Sequence, residues 1–322
     1  MGRAMRALTY EPARIDDAMV WADIYTAAQP ERAVDPVQTR YDWEHPARNW
    51  VHRRFVVRDG ARAVGVAGLA HHKWEHVSVR HASLGGEILP DIRDRGTLAE
   101  LHRFLERIAI DEGAKILRGS AMENDQVRAD ALRDLGFRRD RASRRWQLDL
   151  VEGRARILAM AEASRARMRD QGITLTTLDR DRDPDVVRKL WSLSNAADQD
   201  IPTTLPTIEE PLEDFVDWLG FPGIERDRLW LARRGDDVLG LSVLEYPPVR
   251  GVVNTAWTAT ARSARGQGVA RALKCETLVQ AIGLGVDRVR TGNDGANDPI
   301  LHINASMGYV PVPGRVDYLK DV

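Results

Sequence analysis

The stretch RSARGQGVARALK, residues 262–274, places two glycines one residue apart directly before a run with helical apolar spacing. The chemistry this spacing offers is anion binding. The first N–H groups of a helix have no partner inside the helix. They also stand at the positive end of its dipole. Gly266 and Gly268 let an anion reach the backbone without meeting a Cβ. Arg265 adds a guanidinium that can make a charge-assisted bond. Phosphate is the anion such a turn suits.

Three phosphate patterns compete for this text. The dinucleotide pattern G-x-G-x-x-G fails, because Arg271 holds its last position. The pattern G-x-x-x-x-G-K-[ST] does not occur. The pattern R/Q-x-x-G-x-G/A is met by Arg265, Gly268 and Ala270. On these six residues alone, a plain glycine-rich turn between strand and helix reads equally well.

The flanking text separates the readings. VVNTAWTAT (252–260) alternates as a strand and runs into the loop. A helix over about 266–283 follows, with the apolar stripe Ala272, Cys275, Val279 and Ile282. DRVRTGN (287–293) is a further strand. The next helix starts with Asp298 as N-cap and Pro299 in its first turn, and Gly308 ends it. This order resembles the GNAT (N-acetyltransferase) superfamily, in which the loop follows the fourth strand and opens the third helix. TGNDGANDPILHINASMGY is similar to that superfamily's fifth strand, asparagine-bearing loop and fourth helix. The resemblance spans about 173–320 and is most specific over 252–310.

The resemblance implies an acyl-CoA donor, usually acetyl-CoA, and a small-molecule amine acceptor. Pyrophosphate would rest on the backbone of Arg265, Gly266, Gln267, Gly268, Val269 and Ala270. The pantetheine arm would add like a strand beside Thr258, Ala259 and Thr260. Asn297 matches a recurrent cofactor-contacting asparagine, and Asn293 is a second candidate. The amine must attack as its neutral form, so a base must take its proton. Glu245, which ends the third strand, is the first choice, although a solvated strand-end carboxylate fits the position as well. A backbone N–H of the fourth strand would face the developing oxyanion. The superfamily often places an acidic tyrosine four residues before its Gly-aromatic pair; here that position is Asn304. A thiolate leaves well unaided, since thiol pKa values lie near ~8–9, and Tyr309 is a possible substitute acid. The alternative reading is an acyl-CoA-binding sensor or partner module without turnover. A nucleotide-binding domain unrelated to CoA is a third.

These residues need a scaffold, and the chain repeats itself to make two. Arg93 and Arg265 stand 172 residues apart, and so do Gly136 and Gly308. Ala63-Val64-Gly65 resembles Val238-Leu239-Gly240 at an offset of 175. Two α/β domains in tandem are expected, each a mostly antiparallel mixed sheet flanked by helices, a layout similar to tandem GNAT proteins. The first covers 1–150, a linker helix covers 151–172, and the acyl-CoA-binding domain covers 173–322. Within the latter, strands are read at 173–178, 229–234 and 238–246, and helices at 184–198 and 209–220. In the first half, RDRGTL keeps Arg93 and Gly96 but has Asp94 for the first glycine and Leu98 for the small residue. A carboxylate there repels phosphate, so this degenerate domain is expected to bind CoA poorly.

The composition bounds the rest. With 43% hydrophobic and 30% charged residues, the chain has material for real cores and a charged surface. A formal net charge of −1 argues against general nucleic-acid binding. No apolar run approaches a membrane span, and MGRAMRALTYEP has no signal-peptide core. The single cysteine, Cys275, suits a reducing cytoplasm and reads as an inert core residue. His72 and His76 stand four apart but follow a strand, so no metal site is expected from them. Asp198 and Asp200 could line the acceptor side. Trp257, just before the pantetheine residues, is the tryptophan of most interest among otherwise core-forming ones. A monomer or homodimer is expected.

Overall fold

The computed structural model describes residues 8–203 and 207–322. The first seven residues of the text read for a signal peptide lie outside the described residues. In chain order the first elements are β1 (Thr9–Pro12), α1 (Ala18–Ala28), α2 (Pro36–Glu44), β2 (Trp50–Asp59), β3 (Arg62–His72), β4 (His81–Ile88), α3 (Arg95–Asp111), β5 (Ile116–Met122) and α4 (Gln126–Asp134). Then come β6 (Arg138–Asp149), α5 (Arg154–Asp170), β7 (Thr174–Thr177), α6 (Val186–Asp198), α7 (Leu212–Leu219), β8 (Leu229–Arg234), β9 (Asp237–Glu245) and β10 (Asn254–Thr260). The chain closes with α8 (Val269–Gly283), β11 (Arg288–Asp294), α9 (Asp298–Met307) and β12 (Val310–Asp321).

Two compact units result. One holds residues 8–142, 249–251 and 315–322; the other holds 143–203, 207–248 and 252–314. The first unit orders its strands β1-β2-β3-β4-β5-β12, the second β6-β11-β10-β9-β8-β7. Each has one parallel pair, β4 with β5 and β10 with β11, among antiparallel neighbours. These bounds differ from the expected division at 150 and 172. Residues 143–149 of β6 pair with β11, and residues 315–321 of β12 pair with β5. The closing strand of each half therefore lies in the other half's sheet, a long-range pairing that alternation along a strand cannot reveal. The helix expected as a linker belongs to the second unit, where Ile157 and Ala161 share a core with Cys275 and Leu278.

The offset of 172 has a structural counterpart. Gly136 and Gly308 both end helices at positive φ, 84° and 90°, the left-handed conformation that favours glycine. Gly65 and Gly240 occupy the middle of β3 and β9. A Cβ on Gly65 would lie 2.8 Å from the Glu87 carbonyl, and one on Gly240 would lie 2.8 Å from the Ala259 carbonyl. Glu87 and Ala259 are themselves 172 apart. Similar close approaches thus recur at corresponding places in each sheet.

Three local expectations need correction. The helix read from 209 begins at Leu212, because Pro211 stands at its N-cap and fixes the backbone outside the helix. The N-cap of α9 is Asn297 rather than Asp298, which places Pro299 at the second helical position. The stripe read on α8 is too narrow: all of 272–278 is buried and Val279 only half-buried. The helix is packed by α5 and by β8, β9 and β10, so its burial extends well round its circumference.

Candidate functional site

The second unit places the quoted loop at the end of β10. A 3-10 turn (Arg262–Ala264) and extended Arg265 lead to Gly266 at φ 75° and Gly268 at φ 91°. Both glycines are in the region other residues avoid. Gly268 is the N-cap of α8 and, as a glycine, brings no side chain of its own to cap that helix start. The loop is held from its carbonyl side. Arg167 Nη2 donates to the Gly266 carbonyl at 3.2 Å, and Gln171 Nε2 to the Gln267 carbonyl at 3.2 Å. Gln267 is fixed through Oε1, which accepts from Arg234 Nη2 at 2.9 Å, and Nε2, which donates to the Ser263 carbonyl at 2.8 Å. Val269 is buried and Ala270 follows it in the first turn.

Arg265 does not lie idle. It shares the Asp200 carboxylate with Arg262, whose two bonds measure 2.6 and 2.9 Å. Hydrogen bonds from these two guanidinium groups hold the Asp200 carboxyl well below the usual range. Asp200 is thus a partner of the loop's arginine. A cavity of about 590 Å³ opens beside it, lined among others by Arg188, Ser192, Thr260, Arg262 and Arg265.

The strand edge beside the loop is open in the manner a ligand strand requires. β10 and β11 pair at only one position, Asn254 with Arg290. Beyond it β10 pairs only with β9, through Trp257, Thr258, Ala259 and Thr260. A β-bulge at Ala256 interrupts that register, and bulges re-aim a strand locally. An extended amide chain can add to such an edge through backbone bonds. Thr258 Oγ1 bonds Ser242 Oγ at 2.9 Å, Ala259 is buried, and Thr260 Oγ1 is buried with no partner.

Glu245 pairs in register with Asn254, so it stands at the root of this parting. On the far side, Asn304 Nδ2 donates to Asn293 Oδ1 at 2.8 Å, which brings those two sequence candidates together. Asn297 stands at the start of α9, where its carbonyl accepts from Leu301 N at 3.2 Å. Tyr309 is buried. Cys275 is buried, and burial pushes its thiol up to about 11, which leaves it an inert packing residue. His72 ends β3 and lies against Trp50 with the rings tilted by 43°, while His76 lies in a separate 3-10 turn.

Sequence reasoning missed Glu210. Burial, with Asp214 and Asp198 nearby, pushes its carboxyl up to about 7. Its backbone is pinned to α6: the Glu210 carbonyl accepts from Trp191 Nε1 at 2.6 Å and its N–H donates to Asn195 Oδ1 at 2.8 Å. Trp257 Nε1 donates to Ser194 Oγ at 3.2 Å, which ties the same helix to the strand after the bulge. The available signal is the pair Glu209-Glu210 before Pro211, which lies inside the helix expected over 209–220 but ahead of the observed start at Leu212.

The corresponding places in the first unit are filled by its own side chains. Asp94 caps α3, its carboxylate accepting from Thr97 N at 2.8 Å. Arg93 is ion-paired with Asp125. Arg128 is buried and donates to the Gly86 carbonyl at 2.9 Å and to Glu87 Oε2 at 2.7 Å. A strand carbonyl that a ligand could use is therefore already occupied. Glu87 is buried in the same network, and burial raises its carboxyl despite the two arginines.

No family model matches the chain, and no curated protein matches it. Solved structures do. A tandem GNAT protein from the clavulanic acid biosynthesis pathway, solved without acetyl-CoA, is similar at a TM-score of 0.75 and 18% identity, over 98% of each chain. A GCN5-related N-acetyltransferase from Sphaerobacter thermophilus is similar at 0.67 and 16%, over 98% of this chain and 95% of that one. A GNAT-family acetyltransferase from Colwellia psychrerythraea is similar at 0.59 and 12%, over 98% of this chain and all of the other. The fold read from the sequence, two GNAT-like halves in one chain, is the fold observed. Among the described residues no helix is long and apolar enough to cross a membrane.

Proposed function

We propose that the protein is an acyl-CoA-dependent N-acyltransferase whose second unit moves an acetyl group to the amine of a small molecule. One observation carries the reading. Helix α8 starts at a left-handed glycine, which brings no side chain of its own to cap it, beside a strand edge that β11 leaves open beyond Asn254. Both are features a phosphate bearing an extended amide arm would use. The first unit offers neither, since Asp94 caps its helix and Arg128 occupies its strand carbonyl.

The fit assigns roles. The backbone from Arg265 to Ala270 holds the pyrophosphate, and Arg265 exchanges Asp200 for phosphate. Thr258, Ala259 and Thr260 offer the backbone edge to the pantetheine amides. Asn293 and Asn297 close the far side. Acetyl-CoA, as donor substrate, supplies a thioester whose carbonyl accepts a nucleophile and whose sulfur leaves. Glu245, at the root of the parting, takes the proton of the attacking amine. A backbone N–H near the bulge faces the carbonyl oxygen. A second reading, acyl-CoA binding without turnover, is favoured by Asn304, because an amide cannot protonate a departing thiolate.

The test is a thermal shift with acetyl-CoA, beside ATP and a Gly268→Glu variant, followed by turnover against a panel of amines. Ligand at a hundredfold over Kd stabilises by about 2.7 kcal/mol, or several degrees at roughly 2–4 °C per kcal/mol. A shift with acetyl-CoA that ATP does not give and the variant loses supports the reading. No shift with any CoA thioester removes it. Binding without turnover of any amine leaves the second reading.

A further inference from the structure

A lysine lies buried in the second unit against a tyrosine whose hydroxyl has no well-formed hydrogen bond. Lys274, on α8, is 2% exposed. Among the described residues no carboxylate pairs with it; its contact is the face of the Tyr309 ring, 5.4 Å away. The Tyr309 hydroxyl is buried and lies beside Thr255 without a well-formed hydrogen bond, and Thr255 Oγ1 is likewise orphaned. Asn304 Oδ1 is a third buried orphan, although its amide nitrogen is bonded to Asn293. A buried cation without a counter-ion is costly, and each orphaned polar atom adds to that cost. A fold that keeps all of them has a polar partner to offer them in its working state.

The place identifies that partner. Thr255 is one residue beyond the only pair joining β10 to β11, and one residue before the bulge. A donor with its pyrophosphate at the start of α8 and its arm along β10 carries its sulfur to this end of the strand. The first unit supplies a comparison at the same offset: His102 matches Lys274 and Phe137 matches Tyr309. There the ring nitrogens are also orphaned, but the aromatic residue has no hydroxyl, and the two rings stand 6.3 Å apart.

Resting on the function proposed above, we propose that this cluster is the leaving-group pocket: Lys274 carries the proton taken up by the departing CoA thiolate, while Tyr309 and Asn304 hold the sulfur end of the donor. The balance is simple. The amine forms a C–N bond and gives one proton to the base; the C–S bond breaks, and sulfur takes one proton from the Lys274 ammonium. Solvent then returns the proton to the lysine. Burial brings the Lys274 ammonium down to about 8, close to an ordinary thiol, which is the match that proton transfer favours. The other groups around it do not compete. Cys275 and Tyr309 are both raised by burial and stay neutral. Glu276 is ion-paired with Arg165, and Arg271 Nη2 donates to Ser306 Oγ at 3.3 Å.

The test compares Kd for CoA and for desulfo-CoA across pH 6.5–9.5, in the wild type, Lys274→Met and Tyr309→Phe. The wild type should prefer CoA by about tenfold near pH 8, because the ammonium holds the thiolate, and lose that preference as the lysine deprotonates. Lys274→Met should bind both alike at every pH, and should melt higher than the wild type because the buried cation is gone, so it will fold. Tyr309→Phe should weaken the preference. Equal binding of both compounds by the wild type, or a preference that survives in Lys274→Met, overturns the leaving-group pocket while leaving the cofactor site standing. Failure of the wild type to bind either compound overturns the function proposed above and this inference with it.

Discussion

Asp125 holds Arg93 in an ion pair at the start of α4, and the residues 172 further along, Asn297 and Arg265, have neutral and cationic side chains in the corresponding places. On the function proposed above, the place for an anion is filled in the first unit. Arg93 is neutralised, Asp94 caps the helix, and Arg128 covers the strand carbonyl. One acetyl-CoA should therefore bind per chain. Calorimetric titration should give a single site that Gly268→Glu abolishes. Asp94→Gly should leave it unchanged, since removing one carboxylate leaves Arg128 in place. Two sites, or a residual site in Gly268→Glu, would count against the closed reading.

On the function proposed above, Asp200 would compete with the donor for Arg265. Its carboxylate binds both Arg262 and Arg265, and being held below its usual range it stays ionised at any working pH. Asp200→Asn should free both guanidinium groups and remove a negative charge beside the phosphate site. Acetyl-CoA should bind up to roughly fivefold tighter at low salt, with the gain fading as salt rises. The sign for stability is opposite. A carboxyl whose folded pKa is depressed contributes stability above its unfolded pKa, and that contribution is lost as pH falls through the folded value. The variant should therefore melt lower than the wild type at pH 7, and the two should converge in strong acid.

In the proposed reaction two carboxylates are candidates for taking the acceptor's proton. Glu245→Gln should lower kcat by about 10²–10⁴ if Glu245 is the base, with little change in Kd for acetyl-CoA. Glu210, raised to about 7, is the rival. An acid limb near pH 7 that persists in Glu245→Gln and vanishes in Glu210→Gln would reassign the role. Stability gives an independent reading. The folded pKa of Glu210 lies above its unfolded value, so its favourable contribution is complete below the unfolded pKa and is lost as pH rises through about 7. Glu210→Gln should thus be more stable than the wild type at pH 8, by about 1 kcal/mol after allowing for partial exposure, and the advantage should vanish near pH 4.

How much of this was legible follows from the range of each interaction. The loop, its glycines and the helix behind it are local, and the sequence marks them: Gly266 and Gly268 adopt the positive φ their type suggests. The strands 229–234 and 287–293 were readable from alternation to within a residue. The exchange of closing strands was not, because Trp146 pairs with Thr291 and Val316 with Ala121 across much of the chain. Asp200 as partner of Arg265, and Arg128 as occupant of the first unit's strand carbonyl, are likewise contacts between distant residues. Lys274 was readable as a polar residue within a helix but not as a buried one. Burial on so many sides of α8 comes from α5 and three strands at once, which no single periodicity encodes.

The paired glycines Gly65 and Gly240 give a test of what holds the open edge in place. A Cβ on Gly240 would stand 2.8 Å from the Ala259 carbonyl, 3.0 Å from Val269 and 3.1 Å from Leu273. The first of these is backbone of β10, and the other two belong to the first turns of α8, so the strand and helix that form the proposed donor site would have to separate. Gly240→Ala should destabilise the second unit by about 1–3 kcal/mol, as overpacking does, and should weaken acetyl-CoA binding at temperatures well below melting. A Cβ on Gly65 would stand 2.5 Å from Ile88 Cδ1 and 2.8 Å from the Glu87 carbonyl, so Gly65→Ala should destabilise by a comparable amount. Its acetyl-CoA affinity should be unchanged, because β4 lies outside the proposed donor site. Melting curves and Kd values for the two variants separate the effects: a loss of affinity in both would mean that binding follows overall stability, and a loss in Gly240→Ala alone would trace it to the geometry of β10 against α8.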